Sequence, residues 1–201
     1  QGDMRVPIEQ LYHRAIDLMV DMQRSFKQNH YDAATAPRTV ATQRSFDREL
    51  LRWELDHYVE WGLQAQYGED VLDADVQQTL GKIFDQLTEE LLEIPQTLVL
   101  RDYQSRNIMH KDGQLYLIDF QDARLGPDSY DLVSLLRDSY VDHGLDFVDQ
   151  MIDAFVSLIP DAGRDFGRRF DVMSVQRHLK ALGTFGYQAA VAGTTRYEGD
   201  V

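Results

Sequence analysis

The sequence contains no cysteine. Disulfides are excluded, and with them the small stapled scaffolds of secreted proteins; the absence fits a cytoplasmic enzyme. Long hydrophobic runs are missing as well. Charged residues interrupt every apolar stretch, so none reaches the length of a membrane span. The opening Q-G-D-M-R-V-P-I has no apolar signal-peptide core. Positive charge is scarce, with 20 Lys and Arg against 34 Asp and Glu and a net charge of −14. A nucleic-acid surface needs clustered Lys and Arg to neutralise phosphates, so the balance argues against that partner, and the acidity reads as solubility. Thirteen glycines supply neither G-x-G-x-x-G nor a P-loop pattern. No internal repeat or low-complexity segment is present. What remains is a chain of 201 residues, 43% hydrophobic, with room for one domain and a sizeable core.

What the sequence has is concentrated between Thr97 and Tyr140. Thr97 to Leu100 is a short apolar, β-prone run ending in charge. Ile108–His110 and Leu115–Ile118 flank Lys111-Asp112-Gly113-Gln114, and Asp-Gly is a strong hairpin signal. This arrangement brings Asp102, Asn107 and Asp119 to the rim of one small sheet. Asp102 and Asn107 are spaced as in the kinase loop H-R-D-x-x-x-x-N, and Asp119-Phe120 opens like D-F-G. Phosphoryl transfer asks for these residue types. A carboxylate at Asp102 can take the proton of an attacking hydroxyl. The Asn107 amide oxygen and the Asp119 carboxylate are hard ligands suited to Mg²⁺. A bland alternative is a hairpin with acidic ends, because Asp and Asn favour turns on their own account.

The stretch resembles the aminoglycoside phosphotransferase and choline kinase branch of the protein-kinase-like superfamily. More narrowly, R-D-Y-Q-S-R-N-I-M, I-D-F-Q-D-A, G-P-D-S-Y-D-L-V-S-L-L-R-D and Q-R-H-L-K-A-L-G are similar to the bacterial amino-sugar kinases of cell-wall recycling, which act on N-acetylmuramate and N-acetylglucosamine. The resemblance implies an α+β, mostly α-helical fold: a protein-kinase-like C-terminal lobe with a small β-hairpin carrying the catalytic and metal residues. It implies Asp102 as catalytic base, Asn107 and Asp119 as metal ligands, and ATP or another nucleoside triphosphate with Mg²⁺. Asp131 is implied as the buried carboxylate that braces the catalytic loop from behind. Arg101 and Arg106 are candidates to pair with Asp122, Asp131 or a phosphate. Leu100 stands where the family motif usually has His, a position that serves mainly as a structural brace. Eleven residues, Phe120 to Tyr130, separate Asp119 from Asp131. That span is too short for a peptide-docking activation segment, so the acceptor is expected to be a small molecule.

The remainder reads as helices. Ile8 to about Phe26 has apolar positions at helical spacing, with Pro7 suited to a first turn. Residues 28–42 read as a loop, either a rim for the substrate pocket or a connector. Ser45 is expected to cap a helix from Phe46 to about Gln66, and Asp73 or Asp75 a third one that Pro95 stops. Gly126-Pro127 reads as a break before a helix running to about Tyr140. Two further helices are expected, Leu145 to Leu158 and Asp165 to about Ala190, with an aperiodic tail from Val191. Glu49 and Trp53 on the second helix, and Arg177 and His178 on the last, are candidate substrate contacts. Their alternatives are a solvated, charge-paired helix with core tryptophans and a buried polar cluster serving the fold.

None of the four lysines stands in a V-A-I-K context, and no small β lobe precedes Asp102. Residues 1–201 are therefore expected to form a single C-terminal lobe without its nucleotide-binding N-terminal lobe, inactive by itself. Two function classes stay open: a small-molecule kinase lobe, with aminoglycoside, choline, homoserine and methylthioribose kinases as rivals to the amino-sugar kinases, and a non-catalytic pseudokinase module. A nucleotide and a small hydroxyl compound are the expected partners, with neither nucleic acid nor membrane; the oligomeric state is not written in the sequence.

Overall fold

The computed structural model describes residues 6–30, 39–159 and 163–192. Most are helical, with two small antiparallel sheets. The chain divides into two compact units: Gln1–Ser45 with Pro95–Phe170, and Phe46–Ile94 with Asp171–Val201. Among the described residues no helix is long and apolar enough to cross a membrane.

In the first unit, α1 (Ile8–His30) buries Tyr12, Ala15, Ile16, Met19 and Val20 along one stripe, the face its 3.6-residue spacing predicts. Helix α1 outlasts its expected end. Of the expected loop 28–42, residues 31–38 lie outside the described residues. Thr39 then caps a single turn, α2 (Val40–Gln43), through a reciprocal capping box with Thr42. Strand β1 (Gln96–Val99) pairs antiparallel with β4 (Arg124–Pro127), Thr97 facing Gly126 and Val99 facing Arg124. Gly126-Pro127 therefore closes a strand instead of breaking the chain. Pro127 is tolerated because it ends the ladder, and the next amide, of Asp128, donates to the Pro95 carbonyl at 2.9 Å.

Strands β2 (Ile108–Lys111) and β3 (Gln114–Leu117) form the expected hairpin, in a sheet of their own. Asp112 (φ 49°) and Gly113 (φ 74°) both take the left-handed conformation that a two-residue turn matched to strand twist requires. The expectation of a single sheet is corrected: β1 and β4 make a second one, and Asp102 follows that one. Helix α6 (Tyr130–Leu136) is buried at all seven residues. It stops short of Tyr140 because Asp138 turns back to bond the backbone of Ser105 and Tyr140. Ser129 precedes α6 without capping it, and its hydroxyl donates to the Arg169 carbonyl. Helix α7 (Leu145–Leu158) covers its expected span and buries Val148, Met151 and Phe155.

The second unit begins with α3 (Arg48–His57), capped by Asp47, whose carboxylate accepts from the Leu50 amide at 2.8 Å. Ser45 is not the cap; it forms a β-bridge with Leu125 in the first unit's sheet region. Past His57 the helix widens into a π-helical stretch, Tyr58–Gln64, before the short α4 (Ala65–Tyr67). Helix α5 (Ala74–Glu93) is capped by Asp73, from the expected pair. Helix α8 (Phe166–Ala192) starts in the first unit and supplies the second from Asp171 onward. Gly183 and Gly186 let it lie directly on the π-helical backbone. A Cβ at Gly183 would stand 2.9 Å from the Tyr58 amide nitrogen, and one at Gly186 would overlap the Trp61 carbonyl. The expected stop at Pro160 and the tail from residue 193 lie outside the described residues.

Candidate active site

Asp102 lies in the loop after β1, Asn107 ends a single 3-10 turn (Ser105–Asn107), and Asp119 follows β3. The Asn107 Nδ2 joins them. It donates to the Asp102 backbone carbonyl at 2.9 Å and stands 3.5 Å from Asp119 Oδ2. Among the described residues nothing hydrogen-bonds the Asp102 carboxylate or the Asn107 Oδ1. Asp119 also accepts from Gln121 Nε2 at 2.6 Å. The side chains thus leave one half-buried carboxylate open to a hydroxyl and the Asn107 Oδ1 open to a cation, beside an Asp119 carboxylate whose two oxygens keep lone pairs beyond their amide donors.

Two site positions are held in a conformation that L-residues avoid. Arg101, just before Asp102, has φ 76°, and Asp119 itself has φ 63°. Such backbone costs about 1–3 kcal/mol per residue and persists only where the surroundings over-determine it. For Arg101 the surroundings are α6. Asp131, fully buried, accepts from the Leu100 amide at 2.7 Å and the Arg101 amide at 3.0 Å, while the Ser134 hydroxyl donates to the Arg101 carbonyl at 3.3 Å. The brace acts on backbone, so Leu100 at this position does not disturb it. Tyr103, also buried, donates to the Ala15 carbonyl at 2.7 Å. Burial pushes its pKa well above the usual phenol value, with the Asp131 charge adding to the effect.

The Arg106 guanidinium lies over the Tyr140 ring, 3.4 Å from its centroid, and Asp122 faces Arg44 at 4.0 Å. Sequence reasoning missed Asp138, which takes the Ser105 amide and hydroxyl, and Arg169, which clasps Asp128 by two bonds. Burial raises the Asp128 pKa despite that partner. The signal for Asp138 was present, since it ends the motif G-P-D-S-Y-D-L-V-S-L-L-R-D. The hairpin's exposed face was not foreseen either: Met109, Tyr116 and Ile118 are about half exposed, while the opposite face holds Ile108, Leu115 and Leu117.

The four candidate substrate residues belong to the second unit. Glu49 is exposed on α3. Trp53, 55% exposed, stacks on His57 with ring centroids 5.0 Å apart, which corrects the alternative of a core tryptophan. His57 in turn neighbours Trp61 and Tyr187. Arg177 is half-buried and His178 exposed on α8. The buried polar partner on that helix is Gln176, which donates to the buried Glu54 at 2.7 Å.

Fold and site define a class: a mostly helical α+β domain of the protein-kinase-like kind. The chain belongs to the phosphotransferase enzyme family, whose model matches residues 5–170. It is 34% identical over 163 residues to the N-acetylmuramate/N-acetylglucosamine kinase of Neisseria meningitidis serogroup B. It is equally similar, over 164 residues, to the enzyme of that name from Pseudomonas aeruginosa. Each match covers 78% of this chain and 48% of the relative, so the chain spans about half the length of the curated relatives it matches. Choline kinase from Cryptosporidium parvum Iowa II has a similar fold, at a TM-score of 0.51 and 12% identity, covering 96% of this chain and 68% of that one. At that identity the likeness is one of fold alone.

Proposed function

We propose that this chain is the acceptor-activating and metal-holding lobe of a small-molecule kinase, which moves the γ-phosphoryl group of ATP to a hydroxyl of an amino sugar such as N-acetylmuramate or N-acetylglucosamine. The observation that carries the reading is the convergence of Asp102, Asn107 and Asp119 around one amide group. The Asp102 carboxylate accepts the hydroxyl proton as the acceptor oxygen forms its bond to phosphorus and the bond to the nucleoside diphosphate breaks. Asn107 Oδ1 and the Asp119 carboxylate fit Mg²⁺, which takes one or two protein ligands and leaves its other positions to phosphates and water. When bound, that ion neutralises charge developing on the phosphates. Asn adds a ligand without adding negative charge. The exposed apolar face of Met109, Tyr116 and Ile118 beside this pair offers a floor for a planar base. An ATP-dependent reaction belongs in the cytoplasm.

The names of the relatives support the amino-sugar acceptor, and Glu49, Trp53, Arg177 and His178 are proposed to contact it. Trp53 presents the kind of open aromatic plane against which a sugar ring packs. Both charge signs are represented among the four residues, which suits a neutral or singly anionic sugar better than a polycation. The test is a screen of acceptors with the complete protein, ATP and Mg²⁺. N-acetylmuramate and N-acetylglucosamine are expected to give higher kcat/KM than kanamycin-type aminoglycosides or choline. A higher value for an aminoglycoside overturns the acceptor assignment, and transfer to none of them overturns the kinase reading.

A further inference from the structure

The turn that carries Asn107 has no cap of its own. Ser105–Asn107 is one 3-10 turn, and Gln104 before it makes no side-chain capping bond. Such short turns have poor internal hydrogen-bond geometry and need support from elsewhere to hold one conformation. Here the support is Asp138, only 7% exposed. Its Oδ2 accepts from both the amide (2.9 Å) and the hydroxyl (2.5 Å) of Ser105, and its Oδ1 accepts from the Tyr140 amide at 3.0 Å. Tyr140, held in this way, is the ring over which the Arg106 guanidinium lies, so Asp138 also seats the middle of the turn.

Asp131, seven residues earlier, does the same at the other end of the loop, through the amides of Leu100 and Arg101. Asp131 stands in the first turn of α6 and Asp138 two residues past its end, and every residue of α6 is buried. One rigid element thus grips the segment 100–107 at both ends. Only a carboxylate serves at position 138, since all three of its partners are donors. An amide there would set an N–H group against one of them.

We propose that Asp138 is a positioning residue of the phosphotransfer site: it fixes the Ser105–Asn107 turn and so sets the Asn107 side chain against Asp102 and Asp119. What Asn107 does there rests on the phosphotransferase reading; how its turn is held does not.

The test compares Asp138→Asn and Ser105→Ala with the wild type in the complete protein. Three quantities are read: hydrogen exchange of the amides in residues 103–108, the Mg²⁺ concentration that half-saturates ATP binding, and the acceptor KM. In Asp138→Asn, exchange is expected to quicken about tenfold and half-saturating Mg²⁺ to rise about tenfold, the loss of one hydrogen bond to a charged group. The acceptor KM stays within about twofold. Ser105→Ala, which removes the hydroxyl and keeps the amide, shifts exchange and Mg²⁺ in the same direction by about threefold.

Unchanged exchange and Mg²⁺ dependence in folded Asp138→Asn overturns the proposal, as does an equal rise in the acceptor KM, the mark of a general defect. If Asp138→Asn does not fold, Ser105→Ala decides by the same two readouts. A wild type that binds no Mg²⁺–ATP removes the phosphotransferase reading, while the exchange comparison still decides whether Asp138 holds the turn.

Discussion

Replacing Asp131 by Asn tests the brace behind Asp102 with the smallest possible change. The wild-type carboxylate is fully buried and accepts from two backbone amides, at 2.7 Å from Leu100 and 3.0 Å from Arg101. Asn keeps one acceptor oxygen and sets an NH₂ against the other amide. One charge-assisted bond is lost, about 1.5–3 kcal/mol, and a buried N–H is left facing a donor. Removing a buried charge returns part of the desolvation cost, so the net loss is expected to be about 2 kcal/mol. With an m value of about 2 kcal/mol/M, the urea midpoint falls by about 1 M. The probe matters. Both tryptophans, Trp53 and Trp61, lie in the second unit, so tryptophan fluorescence reports that unit while Asp131 belongs to the first. Far-UV circular dichroism or hydrogen exchange at residues 98–103 reads the right place. A folded variant whose midpoint lies within about 0.2 M of wild type refutes the idea that Asp131 holds the left-handed peptide at Arg101.

Two further changes probe the scaffold. Gly186→Ala drives a methyl group into the Trp61 carbonyl and is expected to cost about 1–3 kcal/mol, read by tryptophan fluorescence during urea unfolding; a neutral outcome denies the close contact with the π-helical stretch. His143 accepts or donates a 2.6 Å bond with the Tyr12 hydroxyl, and burial depresses its pKa below 6.5 while the Asp138 and Asp142 charges oppose the shift. A depressed histidine favours folding in its neutral form, so its contribution is complete above pH 6.5 and is lost as pH falls below that value. Thermal midpoints should therefore drop more between pH 7 and 5.5 in wild type than in His143→Gln, and parallel drops would contradict the assignment.

The local signals of the sequence were dependable where the structure is local. Asp112-Gly113 announced the hairpin because a two-residue turn needs two left-handed positions, and few other pairs accept them. Asp73 or Asp75 with the apolar spacing after them marked α5 for the same kind of reason, and the structure chooses Asp73. What escaped was set by distant partners. Gly126-Pro127 looks like a breaker until β1 pairs with the strand it closes. The π-helical Tyr58–Gln64 keeps ordinary helical periodicity, and it meets Gly183 and Gly186 more than a hundred residues later. Spacing sets Trp53 off the apolar face of its helix, and it is exposed there; only the alternative of a core tryptophan fails. In the site, the spacing of Asp102, Asn107 and Asp119 was legible. Asp138 lies at the end of a motif that was legible, but its contact was not, because it acts from beyond the end of a helix on a loop thirty-three residues earlier.

The account turns on Asp102, and one comparison tests it directly: Asp102→Asn against wild type in the complete protein, with Mg²⁺-dependent transfer from ATP to N-acetylglucosamine and ATP affinity both measured. The carboxylate serves the acceptor hydroxyl, and general-base contributions amount to about 10²–10⁴-fold. Transfer is therefore expected to fall by about that factor while ATP affinity stays within about twofold. A variant that transfers phosphate within about threefold of wild type would contradict the role assigned to this residue.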